Sequence, residues 1–197
     1  THCCIEDVGI LRSIPNLSIV APADSAEAVK AVMASIEYNN SVYIRLTGDA
    51  SINQVYEDDY DFKIGKSITL KNGKDISIFA SGTMVKVALD CSRILSQNNI
   101  DAEIVNMHTI KPIDIQKVNE SAKSSKLIVS IEEHNVIGGL RSGIAECLAD
   151  IKGSPRFIFF GINDTYSKGG EYNYLKEHFG LTASVISKKI MLKLKEN

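Results

Sequence analysis

Short runs of β-branched and other apolar residues alternate with amphipathic helical patterns along most of this 197-residue chain. Residues 17–21 predict a buried strand, and residues 41–46 predict a second one. Between them, Asp24 and Glu27 form a capping-box pair that begins a helix. Apolar spacings of three and four predict that this helix buries Val29, Val32, Met33 and Ile36. Such strand–helix–strand alternation is typical of a parallel sheet.

A polar, acidic stretch without periodicity, residues 48–61, is interpreted as a linker between two domains. Beyond it, Asn72-Gly73 between two apolar runs predicts a β-hairpin, because both residues favour positive φ. The alternation then resumes, with strands predicted at 102–107, 127–131 and 157–162. Helices are predicted to begin near Met84, Asp114 and Gly139, and two more to cover 171–178 and 183–195. Right-handed crossovers then predict an α/β three-layer sandwich with a mostly parallel sheet over residues 62–197. Residues 1–47 are too few to close a core, so we expect a truncated α/β domain there.

Composition narrows the classes of partner. The chain has 22 Lys and Arg against 24 Asp and Glu, and this near-neutral balance argues against nucleic acid as a partner. No apolar run approaches the ~20 residues needed to span a bilayer, so no membrane partner is predicted. Four cysteines without zinc-ligand spacing favour reduced thiols and a cytoplasmic location. Because the chain begins at Thr1 rather than Met, we expect it to be part of a longer protein.

Two places along the sequence carry candidate chemistry. His2 precedes a helix that apolar spacing predicts over residues 5–14, and it could donate a hydrogen bond or move a proton. From the spacing alone, an inactive terminal histidine is the favoured interpretation. Glu132-Glu133-His134 closes the 127–131 strand, and Gly138-Gly139 begins the next helix. Ligands gather at such strand ends, but a tight turn whose carboxylates cap the helix is the favoured interpretation. His108 and His178 are interpreted as packed or surface residues. Nucleotide-binding and G-x-S-x-G motifs do not occur.

Near its start the chain contains Thr1-His2, Ile5-Glu6-Asp7, residues 11–16 and Ala21-Pro22-Ala23-Asp24. These segments resemble the end of the pyrimidine-binding domain of the transketolase family. Its C-terminal domain is similar to Ile110-Lys111-Pro112-Ile113-Asp114, residues 132–140 and Gly180-Leu181-Thr182. These matches cover almost the whole chain in the right order. The resemblance therefore assigns residues 1–47 to the pyrimidine-binding domain and residues 62–197 to the C-terminal domain.

The resemblance implies a thiamine diphosphate enzyme, a transferase that moves a two-carbon ketol unit between sugar phosphates. In the family, other parts of the protein bind the diphosphate and its magnesium or calcium ion. The catalytic glutamate also lies in a part of the family that this chain does not match. We therefore expect no catalytic, cofactor-binding or metal-binding residue in this chain, and no activity from the chain alone. The complete site forms between subunits, so the expected partners are a second copy in a homodimer, a separate N-terminal subunit, or both.

The resemblance also identifies two substrate-binding candidates. His2 matches the family histidine that hydrogen-bonds oxygens of the ketose donor. Arg45 lies in the strand near which the family binds the substrate phosphate, and it matches an arginine neighbouring the phosphate-binding position. Gly48 aligns with that position itself. Replacing an arginine there with glycine removes the planar fork that suits phosphate, which suggests a variant or unphosphorylated acceptor.

Other interpretations remain open at this point. Deoxyxylulose phosphate synthase shares the domain order but uses pyruvate as donor, and the β subunits of 2-oxo-acid dehydrogenases are further relatives. A non-catalytic dimerisation or interaction module is a different class. An incomplete sheet in residues 1–47 would favour it, because such a sheet leaves apolar surface and an unpaired edge.

Overall fold

The computed structural model describes residues 4–47, 54–56 and 58–196. Its helices are α1 (Asp7–Leu11), α2 (Ser25–Ile36), α3 (Met84–Ser96), α4 (Ile115–Ser124), α5 (Leu140–Ala149), α6 (Tyr172–His178) and α7 (Ala183–Lys195). Its strands are β1 (Leu17–Val20), β2 (Ser41–Ile44), β3 (Ile68–Lys71), β4 (Ile76–Ala80), β5 (Ala102–Asn106), β6 (Thr109–Lys111), β7 (Leu127–Asn135) and β8 (Arg156–Ile162). Within this described part, no helix is long and apolar enough to cross a bilayer.

The larger sheet has the strand order β3-β5-β4-β7-β8. Strands β5, β4, β7 and β8 run parallel, and only β3 is antiparallel to its neighbour. Alternate residues of β4 point to opposite faces: Ile78 packs with α3 and α7, and Phe79 packs with α4 and α5. Helices therefore cover both faces of the sheet. This confirms the predicted three-layer α/β sandwich with a mostly parallel sheet.

The predicted hairpin at Asn72-Gly73 is wrong. Strand β3 pairs with β5, and β5 separates it from β4. Neither Asn72 nor Gly73 has a positive φ. A Cβ on Gly73 would instead lie 2.2 Å from backbone atoms of Ala102 and Glu103. The glycine is needed because the chain crosses close to the start of β5, where any side chain would collide with the backbone.

The smaller sheet has the order β2-β1-β6. Strands β1 and β2 are parallel, and β6 joins β1 in antiparallel orientation. Strand β6 comes from the second half of the chain, so this sheet connects the two halves by backbone hydrogen bonds. The division into residues 1–47, a linker 48–61 and residues 62–197 stays a prediction, and residues 48–53 and 57 lie outside the described part.

Helix α2 begins as predicted but buries a different face. The Asp24 carboxylate accepts a hydrogen bond from the Glu27 backbone N–H at 2.8 Å, which confirms the N-cap. The helix buries Glu27 and Ala31. The predicted apolar face is wrong, because its four residues are 48–72% exposed: Val29, Val32, Met33 and Ile36. Periodicity identifies an apolar face, but burial also requires a neighbouring element that covers it, and these four side chains stay largely exposed.

Candidate functional site

The carboxyl ends of strands from both sheets meet at one recess. The backbone N–H of Gly82, after β4, donates to the carbonyl of Ala21, after β1, at 3.1 Å. We call this place the strand-end recess; its lining consists of Val8, Ala21, Arg45, Ser81, Gly82, Thr83, Ile110, Glu132, Glu133 and His134. Ligands of α/β proteins bind in such positions, so the recess is the place to look for functional side chains.

Glu132 is buried at the base of this recess. Strand β7 extends to Asn135, beyond the predicted end at residue 131, and therefore contains Glu132. Its carboxylate accepts hydrogen bonds from the backbone N–H groups of Leu140 at 2.7 Å and Arg141 at 2.9 Å. A Cβ on Gly139 would lie 2.0 Å from Glu132 Oε2. The carboxylate thus occupies the anion position at the start of α5, which confirms the helix-capping interpretation.

Burial gives Glu132 an unusual affinity for protons. Burial raises the pKa of its carboxyl group to about 7, although the N–H groups of Arg141 and Leu140 oppose this rise. The carboxyl group of Glu132 therefore keeps its proton to a higher pH than an ordinary glutamate does. The side chain of His134 lies beside it, with Nδ1 3.9 Å from Glu132 Oε2.

His134 is held in one neutral form. Its Nδ1 lies 2.6 Å from the carbonyl oxygen of Asn135, which can only accept, so the ring proton is at Nδ1. Its Nε2 then accepts from the backbone N–H of Gly9 in α1 at 3.3 Å. Burial lowers the pKa of His134, in keeping with this accepting role. The side chain thus satisfies one of the N–H groups that the first turn of a helix leaves unpaired.

Gly138 allows α1 to approach the β7–α5 turn. It has φ = 81°, and a Cβ there would lie 2.7 Å from Gly9 Cα. The Arg12 side chain, after α1, donates to the Gly138 carbonyl at 3.0 Å and to Glu146 at 2.6 Å. The segment from Glu132 to Gly139 therefore docks α1 onto the larger sheet. Sequence reasoning missed this role, although two adjacent glycines were its signal.

Glu133 belongs to a hydrogen-bonded group that sequence reasoning also missed. The Tyr172 hydroxyl donates to Glu133 Oε2 at 2.6 Å, and the Thr83 hydroxyl donates to the same oxygen. This group joins the loop after β4, strand β7 and helix α6. Neither Thr83 nor Tyr172 lies in a recognisable motif, and their contact is distant in sequence, so no local signal could have identified them.

The structure describes only one of the two predicted substrate-binding residues, Arg45. His2 lies outside the described residues, as does Gly48. Arg45 lines the recess, but its Nε donates to both carboxylate oxygens of Asp7, at 2.9 and 3.2 Å. Its cationic charge is therefore already paired with a carboxylate. Its binding to substrate stays a prediction.

The remaining histidines are not assembled into the recess. His108 is fully buried, and its ring stacks on Phe62 with centroids 4.3 Å apart. Burial lowers the pKa of His108 to about 4. His178 is exposed on α6. The interpretation of both as packed or surface residues is confirmed.

Comparison with known proteins gives matches to two family models. The first is described as the transketolase C-terminal domain and matches residues 65–186. The second, the transketolase pyrimidine-binding domain, matches residues 1–50. A 6-deoxy-6-sulfo-D-fructose transketolase subunit of Clostridium sp. (strain MSTE9) is 39% identical over 186 residues, which are 94% of this chain and 57% of that subunit.

This chain covers different shares of two further relatives. A 1-deoxy-D-xylulose-5-phosphate synthase of Dictyoglomus thermophilum is 32% identical over the whole chain, which spans 32% of that enzyme. A solved structure described as a split gene transketolase, an inactive β4 tetramer, is 36% identical with a TM-score of 0.92, over 98% of this chain and 63% of that one. The chain spans 57–61% of the length of the first three curated relatives.

Proposed function

Because the chain belongs to the transketolase family, we propose that it forms the C-terminal portion or the small subunit of a ketol-transferring enzyme. The complete enzyme transfers a two-carbon unit between sugar or sugar-phosphate substrates. The observation that carries this proposal is the ordered match of both family domains along one chain. The likeness to a split gene transketolase, with a TM-score of 0.92, supports the assignment to a small subunit.

Thiamine diphosphate supplies the electron-accepting group of this family's chemistry when it is bound. The described residues do not fit the metal ion that accompanies its diphosphate. Across residues 4–47, 54–56 and 58–196, no group of three or more His, Cys, Asp or Glu side chains could hold a metal ion. We therefore propose that the cofactor and its magnesium or calcium ion bind to the rest of the complete enzyme. His2 is the contact that this chain contributes to the ketose donor.

We propose that this chain works in an assembly with a separate N-terminal subunit, a second copy, or both. Strand β2 is an edge of the smaller sheet among the described residues. Helix α2 beside it exposes an apolar face that includes Val29, Met33 and Ile36. Such a combination of open edge and apolar surface favours a partner. A cytoplasmic location is proposed with it, supported by the unpaired thiols of Cys91 and Cys147.

A second candidate function is that of a deoxyxylulose phosphate synthase. The 32% identity to such an enzyme over the whole chain favours it. The two functions differ in the donor, which is a ketose phosphate for transketolase and pyruvate for the synthase. Donor preference therefore separates them without any structural information.

The test uses the complete enzyme, in which this chain is purified together with its partner subunit. Ketol transfer from xylulose 5-phosphate is measured with and without thiamine diphosphate and magnesium, and pyruvate is offered as the competing donor. We expect cofactor-dependent transfer from the ketose only. Turnover of pyruvate alone would replace the proposal with the synthase function.

A matched binding experiment tests where the cofactor binds. The 197-residue chain and the complete enzyme are each titrated calorimetrically with thiamine diphosphate and magnesium. We expect binding to the complete enzyme and none to the chain. Micromolar binding to the chain would refute the proposal that the cofactor binds elsewhere.

A further inference from the structure

We propose that Glu27 keeps closed a strap across the junction of the two sheets, and that this strap opens while both sheets stay folded. We call residues 54–56 and 58–62 the junction strap. The proposal goes beyond the proposed function, because it concerns how the two halves of the chain are held together and does not depend on ketol transfer. A failure of either one therefore leaves the other in place.

Aromatic side chains, rather than backbone pairing, attach the junction strap to the rest of the structure. The strap contains no helix or strand among its described residues. Tyr56 is only 8% exposed, and its ring stacks on that of Tyr60 with centroids 3.7 Å apart. The Phe62 ring stacks on His108, which lies between β5 and β6. A segment without ladder hydrogen bonds opens more readily than a strand or a helix does, so the strap is suited to local opening.

Glu27 lies beneath the junction strap and is fully buried. Its carboxylate accepts a hydrogen bond from the Tyr56 hydroxyl at 2.9 Å and from the Ala23 backbone N–H at 2.6 Å. The Asn106 side-chain amide, at the end of β5, lies 2.9 and 3.0 Å from its two oxygens and donates to them. One carboxylate therefore joins the strap, the start of α2 and the larger sheet. A buried carboxylate needs such donors, so these contacts hold one another in place.

The closed strap also covers two polar atoms that favour its opening. Asn106 Oδ1 and His108 Nε2 are buried, and no described residue forms a hydrogen bond with either. Asn106 also donates to the Tyr56 hydroxyl at 2.6 Å, and Phe62 covers the ring of His108. Unpaired polar groups are costly to bury, so access of water to them would favour the open strap. The hydrogen bonds of Glu27 oppose this tendency.

A second connection between α2 and the junction strap lies at the surface. Lys30 Nζ donates to Asp59 at 2.6 Å and to the Tyr60 carbonyl at 2.8 Å. The Asp59 side chain is 92% exposed, and exposed ion pairs contribute little to stability. We therefore expect the buried carboxylate of Glu27, rather than the ammonium of Lys30, to control the opening of the strap.

Limited digestion of the complete enzyme with chymotrypsin tests the proposal. Chymotrypsin cleaves after aromatic residues, and Tyr56 must leave its buried position before the bond that follows it can be cut. The rate of this cleavage, followed by mass spectrometry, therefore reports the population of the open strap. Glu27→Gln keeps the shape of the side chain but replaces one acceptor oxygen with an N–H donor. Loss of a hydrogen bond to a charged group shifts such an equilibrium by about 10- to 100-fold, so we expect cleavage to accelerate by that factor.

Two matched variants provide the controls. Glu37→Gln makes the same change at an exposed position at the end of α2, and we expect it to match the wild type. Lys30→Gln removes the surface connection, and we expect less than about a fivefold acceleration. Equal cleavage rates in Glu27→Gln and Glu37→Gln would overturn the proposal. So would an effect of Lys30→Gln as large as that of Glu27→Gln.

Hydrogen exchange shows whether the opening is local. The Val55 amide of the strap donates to Asp24, and the amides of β4 lie in the larger sheet. We expect Glu27→Gln to accelerate exchange at Val55 and to leave β4 unchanged. Equal acceleration at both would mean that Glu27 supports the whole fold, and would overturn the proposal. If Glu27→Gln fails to fold, Tyr56→Phe replaces it in the exchange measurement, because it removes the strap's own donor to the carboxylate; unchanged exchange at Val55 would then overturn the proposal.

Discussion

Replacing Glu132 with glutamine tests how the strand-end recess holds a buried carboxyl group. Burial raises the pKa of Glu132 to about 7 from an ordinary value of 4.5. Well below pH 4.5 the group is protonated in the folded and the unfolded chain alike. As the pH rises, the unfolded chain loses its proton first, so stability falls until the folded group has also ionised above pH 7. Glutamine has the same shape but does not titrate.

The magnitude follows from the difference between the two pKa values. A difference of about 2.5 units at about 1.4 kcal/mol per unit is about 3 kcal/mol of unfolding free energy, of which about 2 kcal/mol is lost between pH 5 and pH 8. The glutamine amide can accept from only one of the two N–H groups that Glu132 binds. We therefore expect Glu132→Gln to be less stable than wild type at pH 5, by about 1–3 kcal/mol.

The assay is urea unfolding of both proteins at pH 5 and pH 8. The expected result is that the deficit of Glu132→Gln shrinks or reverses by about 2 kcal/mol between the two pH values. Glu120→Gln is the control, because Glu120 lies exposed on α4, where the Gln116 side chain donates to its carboxylate. A deficit that stays constant within about 0.5 kcal/mol would refute the reasoning, because it would mean that Glu132 titrates alike in the folded and unfolded chain.

Three further predictions each concern a single site. Gly138→Ala should lower the midpoint of thermal unfolding by more than Gly153→Ala does. Both glycines have positive φ, but only a Cβ at Gly138 would collide with the backbone of α1. Equal losses would contradict this. Asp24→Ala should lower the unfolding free energy by about 1–2 kcal/mol, whereas Glu171→Ala, at an N-cap without a side-chain bond, should leave it unchanged. The Cys91 thiol, whose pKa burial raises to about 11, should resist iodoacetamide in the native protein by mass spectrometry, and rapid labelling would refute its burial.

Local pattern was enough to identify most of the helices and strands and their order. The helices at 171–178 and 183–195 and the strand at 157–162 lie where periodicity predicts them, within one residue at each end. The fold class followed from the alternation of these elements. These features depend on neighbours a few residues apart, which the sequence contains directly.

Pairing and burial were harder to predict. Asn72-Gly73 has the composition of a hairpin turn, yet β3 pairs with β5. Glycine serves a turn or a close backbone approach equally well, and only the position of Ala102 decides which. The exposed apolar face of α2 shows the same ambiguity, because its spacing is that of a buried face.

The sequence by itself determined the family and the α/β class, because these depend on ordered motifs and local periodicity, whereas the role of His2 stays a prediction. Only the tertiary structure decided what Glu132, His134 and Gly138 do. It showed that the segment after β7 is the place where α1 docks, and that Arg45 pairs with Asp7. The physical reason is that hydrogen-bond partners and close approaches join residues far apart in the chain, and no local pattern specifies which groups will meet.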